Sequence, residues 1–436
     1  MAETDWACSL EYCMLTRTAH WVLRAAAVCL ITAGSITQTR ATASVLARDA
    51  AADFDEAWHF IRDHYCFFPE HGIDAWRRTR DALLPVAERA STLTARIRVL
   101  EELLDQLADP HAHLRTNLAS SHRLVPHDVW GTRTPEGLRI DAVRAGSAAS
   151  RAGVLPGDIV LQINGAPALE VADRWRPQHS PMDDRALDSW SALVGLAGTH
   201  DTPRVWRVRS GAMIRTIKID TIDDDAGAHS SGASPAVTVS EPAPGVGLIR
   251  VASFADPHAV ELFDAAVDRL ADASAIIIDV RNNHGGDTAV ARPMMGRFVR
   301  VRTPYAKMRR RNGDGLGAPW TEYVEPRGRA YTGRVVILVD RFSASMAEGF
   351  AMGMRTIAHA SIVGTRMAGL GAAIGTTTLP NSKITLQIST EPVYTVDGQP
   401  RWELAPDVEV PLDALRRAQM TGGDAILDAG LHEALR

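Results

Sequence analysis

The sequence predicts a multidomain α+β protein with a helical N-terminal part, a β-rich middle and a C-terminal α/β part. Three observations predict it. Before residue 120, apolar residues recur at helical spacing: Phe54, Trp58 and Ile61, then Leu93, Ile97, Leu100, Leu103, Leu104 and Leu107. From about 124 to 225 the pattern changes to short strands punctuated by Gly turns. From Gly245 onward, β-branched runs alternate with helical stretches, the arrangement of a mostly parallel sheet. A chain of 436 residues has room for two or three domains and a large core.

Composition narrows the function classes. Hydrophobic residues make up 46% and charged residues 23%, an ordinary globular balance. The formal net charge of −5 is spread without long runs, so neither nucleic acid nor an anionic membrane is an expected partner. Residues 1–43 read as a secretory signal. Arg17 and Arg24 flank the start of the apolar stretch Ala25–Ile36, and Ala41-Thr42-Ala43 supplies a small-residue cleavage site. Met14 offers an alternative start that leaves a signal of ordinary length. The apolar run is too short to span a bilayer, so no integral span is expected after cleavage. The expected location is secreted or periplasmic. Of four cysteines only Cys66 follows the cleavage site, so the mature chain has no internal disulfide.

The parts then follow in order. Residues 44–120 form the expected helical domain, whose last helix ends at Asp109-Pro110 and leaves His111 just beyond it. Residues 121–225 form the β-rich domain: a strand at Gly137–Val143, a short helix in Ala145-Gly-Ser-Ala-Ala, and a strand in Leu155-Pro-Gly-Asp-Ile-Val-Leu-Gln-Ile-Asn-Gly. A strand pair follows around Ser210-Gly211, and Arg174–Asp188 reads as an irregular insertion. Residues 226–244, rich in Asp, Ser, Ala and Pro, read as a linker. Residues 245–436 form the α/β domain, with strands at Val246–Phe254, Ala275–Val280 and Val335–Val339. Residues 303–333 read as a long polar connection. No internal repeat is visible.

Chemistry concentrates in three loops. Ser343-Ala-Ser345 sits where the strand Val335–Val339 hands over to a helix, so the Ser345 hydroxyl lies beside free N–H groups at a helix start. Such a place suits chemistry that builds negative charge on oxygen. Ser345-x-x-Glu348 is equally a capping box, which needs no chemistry. The loop Asp279-Val-Arg-Asn-Asn-His-Gly-Gly has glycines that let backbone N–H groups approach a ligand. It lacks the Lys-Ser/Thr and the Gly spacing of nucleotide-binding loops. The third loop carries His111; a serine nucleophile needs a base, and histidine is the usual one. His284, in the Gly-Gly turn, competes for that role. Asp109-x-His111-x-His113 admits a metal reading, but it lacks a clear fourth ligand, and no metal or cofactor is expected.

These motifs together resemble the S41 serine peptidases, the C-terminal-processing and tricorn-type enzymes. The matching pieces are Ala275–Gly286, Thr332–Glu348, Ile362-Val-Gly and Pro406-Asp-Val-Glu-Val, in the family's order. The 121–225 part resembles a bacterial PDZ domain, and the helical part resembles the family's N-terminal domain. The resemblance implies a crotonase-like (ClpP/crotonase) peptidase domain, with Ser345 as nucleophile and the N–H groups of Gly286 and Met346 as oxyanion hole. The processing branch uses a lysine base, but Leu370 stands in its place here. The tricorn-type branch takes a histidine after the N-terminal helices, and His111 occupies that position. That branch orients its histidine with a preceding serine and a distant glutamate. Pro110 replaces the serine, Glu403 is the candidate glutamate, and Asp109 is a possible substitute. The implied activity is hydrolysis of peptide bonds in peptide or unfolded protein substrates, with the PDZ-like domain binding the substrate peptide. A catalytically silent binding protein and an esterase-like hydrolase are the alternatives. Oligomeric state is not legible.

Overall fold

The computed structural model describes residues 48–69, 72–219 and 235–436. The expected signal segment and the first part of the expected linker lie outside the described residues. Three helices come first: α1 (48–64), α2 (Gly72–Ala87) and α3 (Leu93–Asp105). Thr92 caps α3, its hydroxyl accepting the Ala95 N–H and so satisfying one donor that a helix start leaves open. Phe54, Ile61, Leu103 and Leu107 are buried together, and Leu386 and Ile388 from far along the chain complete their cluster. The helices are therefore packed onto the C-terminal part. After α3 the chain turns at Asp109 and enters the two-residue strand β1 (His113–Leu114).

The middle region holds β2 (Val129–Thr134), β3 (Gly137–Val143), α4 (Ala148–Arg151), β4 (Ile159–Ile163) and β5 (Ala166–Pro167). It continues through α5 (Ala168–Arg174), α6 (Asp184–Ala197), β6 (Arg204–Ser210) and β7 (Met213–Ile219). Its sheet runs β2-β3-β4-β6-β7, with β5 beside β4, so β2 is an edge. Leu138, Ile140, Val160, Trp206 and Val208 fill its core. The expected insertion 174–188 instead includes the start of α6, where the Asp183 carboxylate accepts the Ala186 N–H. A polar helix start reads like a loop because its capping residues are loop residues.

The linker expectation is corrected over its second part. Val237–Ala243 forms β8, antiparallel to β9 (Val246–Val251). Val237 and Val239 alternate with polar neighbours and pack against the main core, a period-2 signal that averaged composition conceals. Pro242 sits where the register shifts, as proline in an edge strand should. Next come α7 (Ala259–Arg269), β10 (Ala275–Asp279) and α8 (Thr288–Met295). Residues 303–333 are not a bare connection: β11 (Thr303–Met308), β12 (Arg311–Asn312), β13 (Gly315–Leu316) and β14 (Trp320–Val324) lie there. Tyr305, Ala306 and Val324 are buried among more numerous polar residues. The chain ends through β15 (Arg334–Val339), α9 (Met346–Ala358), β16 (Ser361–Gly364), β17 (Ala372–Thr378), β18 (Thr385–Tyr394), β19 (Val408–Glu409), α10 (Leu412–Thr421) and α11 (Ala425–Ala434).

Two sheets position the site. The central one runs β19-β16-β15-β10-β9-β8, parallel except for β8. Ile276 and Ile278 face one core while Ile277 faces the other, against Ile426 and Ala434, which explains the unbroken apolar runs. The loops after β10 and β15 therefore emerge side by side at the carboxyl ends of adjacent parallel strands, the usual place for a site in such sheets. The second sheet, β1-β18-β11-β14 with β17 on β18, ties the His111 segment to the C-terminal part. Trp130, Trp190, Leu193 and Val194 of the middle region form one apolar cluster with Phe342, Ala344 and Ala368, so that region abuts the loop before α9. Arg416 of α10 anchors it from the other side, donating to the buried Asp158 carboxylate at 2.8 Å.

Candidate active site

Ser345 stands at the start of α9 with φ 54° and ψ −114°, a conformation unfavourable for any residue with a Cβ. Its neighbours hold it there. Glu348 Oε2 accepts the Ser345 N–H at 3.1 Å, and Glu348 Oε1 accepts the Gly369 N–H at 2.5 Å. One buried carboxylate thus joins the helix start to the 369–370 loop. Burial lifts the Glu348 carboxyl to about 7, against the lowering effect of Arg401 and of the N–H groups it accepts. The expected capping carboxylate is present, and it does more than cap.

The Gly-Gly turn lies directly on Ser345. Gly285 has φ +95°, and a Cβ there would fall 2.7 Å from the Met346 nitrogen and 2.9 Å from Ser345 Cβ. Gly285 spends its N–H on the Asn283 side-chain oxygen Oδ1 at 2.8 Å. Gly286, at φ +137°, packs its Cα against Phe254 backbone and pairs with it through flanking bonds. Among the described residues neither the Gly286 N–H nor the Met346 N–H has a hydrogen-bond partner. Met346 is the first residue of α9, so its N–H is one of those a helix start leaves open.

His111 is 8% exposed. Its N–H donates to Asp109 Oδ1 at 2.9 Å, its carbonyl accepts from Gln387 Nε2 at 3.1 Å, and its Nδ1 lies 3.4 Å from Ser389 Oγ. Desolvation, with repulsion from Arg401 and His113, holds the imidazole at about 3, and therefore neutral. Asp109 thus holds the backbone of His111 and not its ring. No hydrogen bond joins Ser345 to His111 in this structure. Arg401 faces both His111 and Glu348 electrostatically. Its Nη2 donates to the carbonyls of Leu370 and Ala372.

Glu403, the expected group for orienting His111, makes no contact with it in this structure. It lies on the 3-10 turn Arg401–Glu403, its side chain is exposed, and it makes no hydrogen bond to the imidazole. Such a turn has about three residues per revolution, so burying Arg401 aims Glu403 away. Leu370 packs against the cluster containing Trp190 and Phe342, apolar company for the position where the processing branch has lysine. His284 is more than a third open, and desolvation with the nearby Arg144 and His127 lowers it to about 4. The sequence reading missed Arg401, Ser389 and Gln387; no motif marks them.

The comparisons agree with this architecture. Residues 245–410 match Peptidase family S41, residues 47–105 match the tricorn protease C1 domain, and residues 139–173 match a PDZ domain. The carboxy-terminal processing protease CtpB of Bacillus subtilis (strain 168) is 29% identical over 128 residues, which is 29% of this chain and 25% of CtpB. The match thus spans a quarter of that relative's length. Mature CPAF shares the fold with TM-score 0.61 at 15% identity, over 87% of this chain and 96% of its own. The photosystem II D1 C-terminal processing protease does so with TM-score 0.53 at 18% identity, over 86% and 98%. Residues 245–410 thus form a peptidase domain of the S41 family of serine-type peptidases, preceded by tricorn C1-like and PDZ-like regions. No helix among the described residues is long and apolar enough to cross a membrane.

Proposed function

We propose that this chain is an exported serine endopeptidase that hydrolyses peptide bonds in peptide or unfolded protein substrates. Ser345 Oγ attacks the scissile carbonyl. His111 takes its proton and returns one to the leaving amine, and the N–H groups of Gly286 and Met346 receive the oxyanion. One observation carries the reading: Ser345 is held in a strained conformation, with Gly285 pressed against it and two unpartnered N–H groups at the adjoining backbone positions. Strain of this kind persists where surrounding structure over-determines it, and it clusters at functional sites. A neutral, desolvated His111 has its lone pair available across the whole neutral range. Catalytic hydrogen bonds often close only when substrate binds, and His111 to Ser345 is assigned to that class.

The middle region would bind the extended peptide at β2, whose outer edge is unpaired in its sheet. Leu196 of α6 lies against Gly131 of that strand, so the depth of the groove depends on how α6 sits.

The test is labelling of the full chain by a fluorophosphonate probe, beside Ser345→Ala, His111→Ala and His284→Ala. Labelling lost with Ser345→Ala and His111→Ala but kept with His284→Ala is the expected outcome. Loss with His284→Ala alone would transfer the base to the Gly-Gly turn. A folded wild type that never labels would favour the silent binding protein. Turnover of esters without peptides would favour the esterase.

A further inference from the structure

The relatives' way of orienting a histidine base is missing here. Pro110 stands before His111, and Glu403 is exposed with no hydrogen bond to the imidazole. Yet His111 is gripped at two points by one strand. Gln387 and Ser389 of β18 are two residues apart and so share a face; Leu386 and Ile388 occupy the other face, in the core of the N-terminal helices. Gln387 Nε2 holds the His111 carbonyl, and Ser389 Oγ lies 3.4 Å from Nδ1. The grip is itself fixed: Ser389 is fully buried, its carbonyl accepts the Cys66 N–H at 3.1 Å, and His113 pairs with Gln387 in the sheet.

Behind Ser389 lies Asp109. Its Oδ2 is buried with no hydrogen-bond partner, and the Ser389 and Tyr65 hydroxyls are near enough to lower its carboxyl against the raising effect of burial. A hydroxyl between a carboxylate and an imidazole turns its proton toward the carboxylate and its lone pairs toward the ring. The ring then carries its own proton on Nδ1.

We propose that Ser389 is the positioning residue of His111, accepting Nδ1–H, donating to Asp109, and so leaving the Nε2 lone pair to act as base. This rests on the reading of His111 as the base of Ser345. The opposite tautomer, with Ser389 donating to Nδ1, would place the proton on Nε2 and leave no base. The charged or titratable groups facing the ring are Asp109 beyond Ser389, with Tyr65 beside it, Arg401 from the 3-10 turn, and His113 from β1.

The experiment is 15N NMR of the histidine-labelled full chain at neutral pH, with His111 assigned by its loss in His111→Asn, together with fluorophosphonate labelling kinetics. The Nδ1–H tautomer is expected in the wild type. Ser389→Ala should give exchanging tautomers and a limiting labelling rate lower by roughly 10- to 100-fold, below the full ~10²–10⁴ of a lost base, with half-saturation little changed. Ser389→Thr, which keeps the hydroxyl, should restore both, and Glu403→Gln should alter neither. An Nε2–H tautomer in the wild type overturns the proposal, whether or not Ser389→Ala folds. So does a Ser389→Ala variant that keeps both the tautomer and the rate. A wild type with the Nδ1–H tautomer that never labels would support the positioning and sink the Ser345 reading, so the two failures are distinct.

Discussion

The two sides of the candidate site are held in opposite ways. Ser345 is fixed by close neighbours: Glu348 three residues on, and the Gly285 turn from the adjacent parallel strand. His111 is fixed by residues 276 and 278 positions further along the chain. The Ser345 side is thus a strained local junction on a rigid sheet. The base side is assembled by the pairing of β1 with β18, and it lasts only while that pairing keeps its register. Arg401 lies between the two and answers electrostatically to both.

The largest blow to the nucleophile side should come from Gly285→Ala. The added methyl would meet Met346 N and Ser345 Cβ inside 3 Å at a φ of +95°. We expect at least ~10² loss of labelling and about 2–4 kcal/mol of stability, read by probe kinetics and urea melts. If labelling survives, Ser345 is less tightly held than the contact distances imply.

Glu348→Gln should be next. It puts an amide, with one acceptor oxygen, where the carboxylate offers two, so either the Ser345 N–H or the Gly369 N–H loses its partner, at about 1–3 kcal/mol. Its pH signature has a definite sign. The folded pKa of about 7 lies above the ordinary 4.5, so the folded state binds the proton more tightly. The Glu348 contribution to stability therefore falls as pH rises from 4.5 to about 7. His111 acts oppositely: held at about 3, it costs stability as pH falls below its ordinary 6.5. The difference between wild-type and Glu348→Gln melts across that window should isolate the first slope.

A smaller effect, but one that links the two sides, is expected of Arg401→Met. Removing the guanidinium relieves the repulsion on His111, so the acid limb of the labelling profile should move up toward pH 6.5. A limb that stays in place would mean that desolvation alone sets the imidazole. The smallest expected change in stability is that of Ser345→Gly, which removes the labelled hydroxyl and also the positive-φ strain. It should raise stability by about 1 kcal/mol in thermal unfolding.

How much of this was legible depended on the range over which each residue is determined. The strand–helix handover at Ser345, the cap at Glu348 and the tight turn at Gly285-Gly286 are encoded within a few residues of themselves, and each is present. The expected linker failed over 237–243 because an edge strand needs little apolar content once a neighbouring strand supplies half its hydrogen bonds. Glu403 makes no hydrogen bond to His111 here, because the three-residue turn draws Arg401 inward and leaves Glu403 exposed. Arg401 and Ser389 carry no motif at all.

The sequence by itself determined the three-part division, the parallel core and the nucleophile junction, because these follow from periodicity, caps and glycine conformation. Only the tertiary structure decided what faces His111, and that the middle region rests on the loop before α9. Those contacts join segments hundreds of residues apart, and no local propensity fixes which face of β18 meets an imidazole until the sheet has chosen its register.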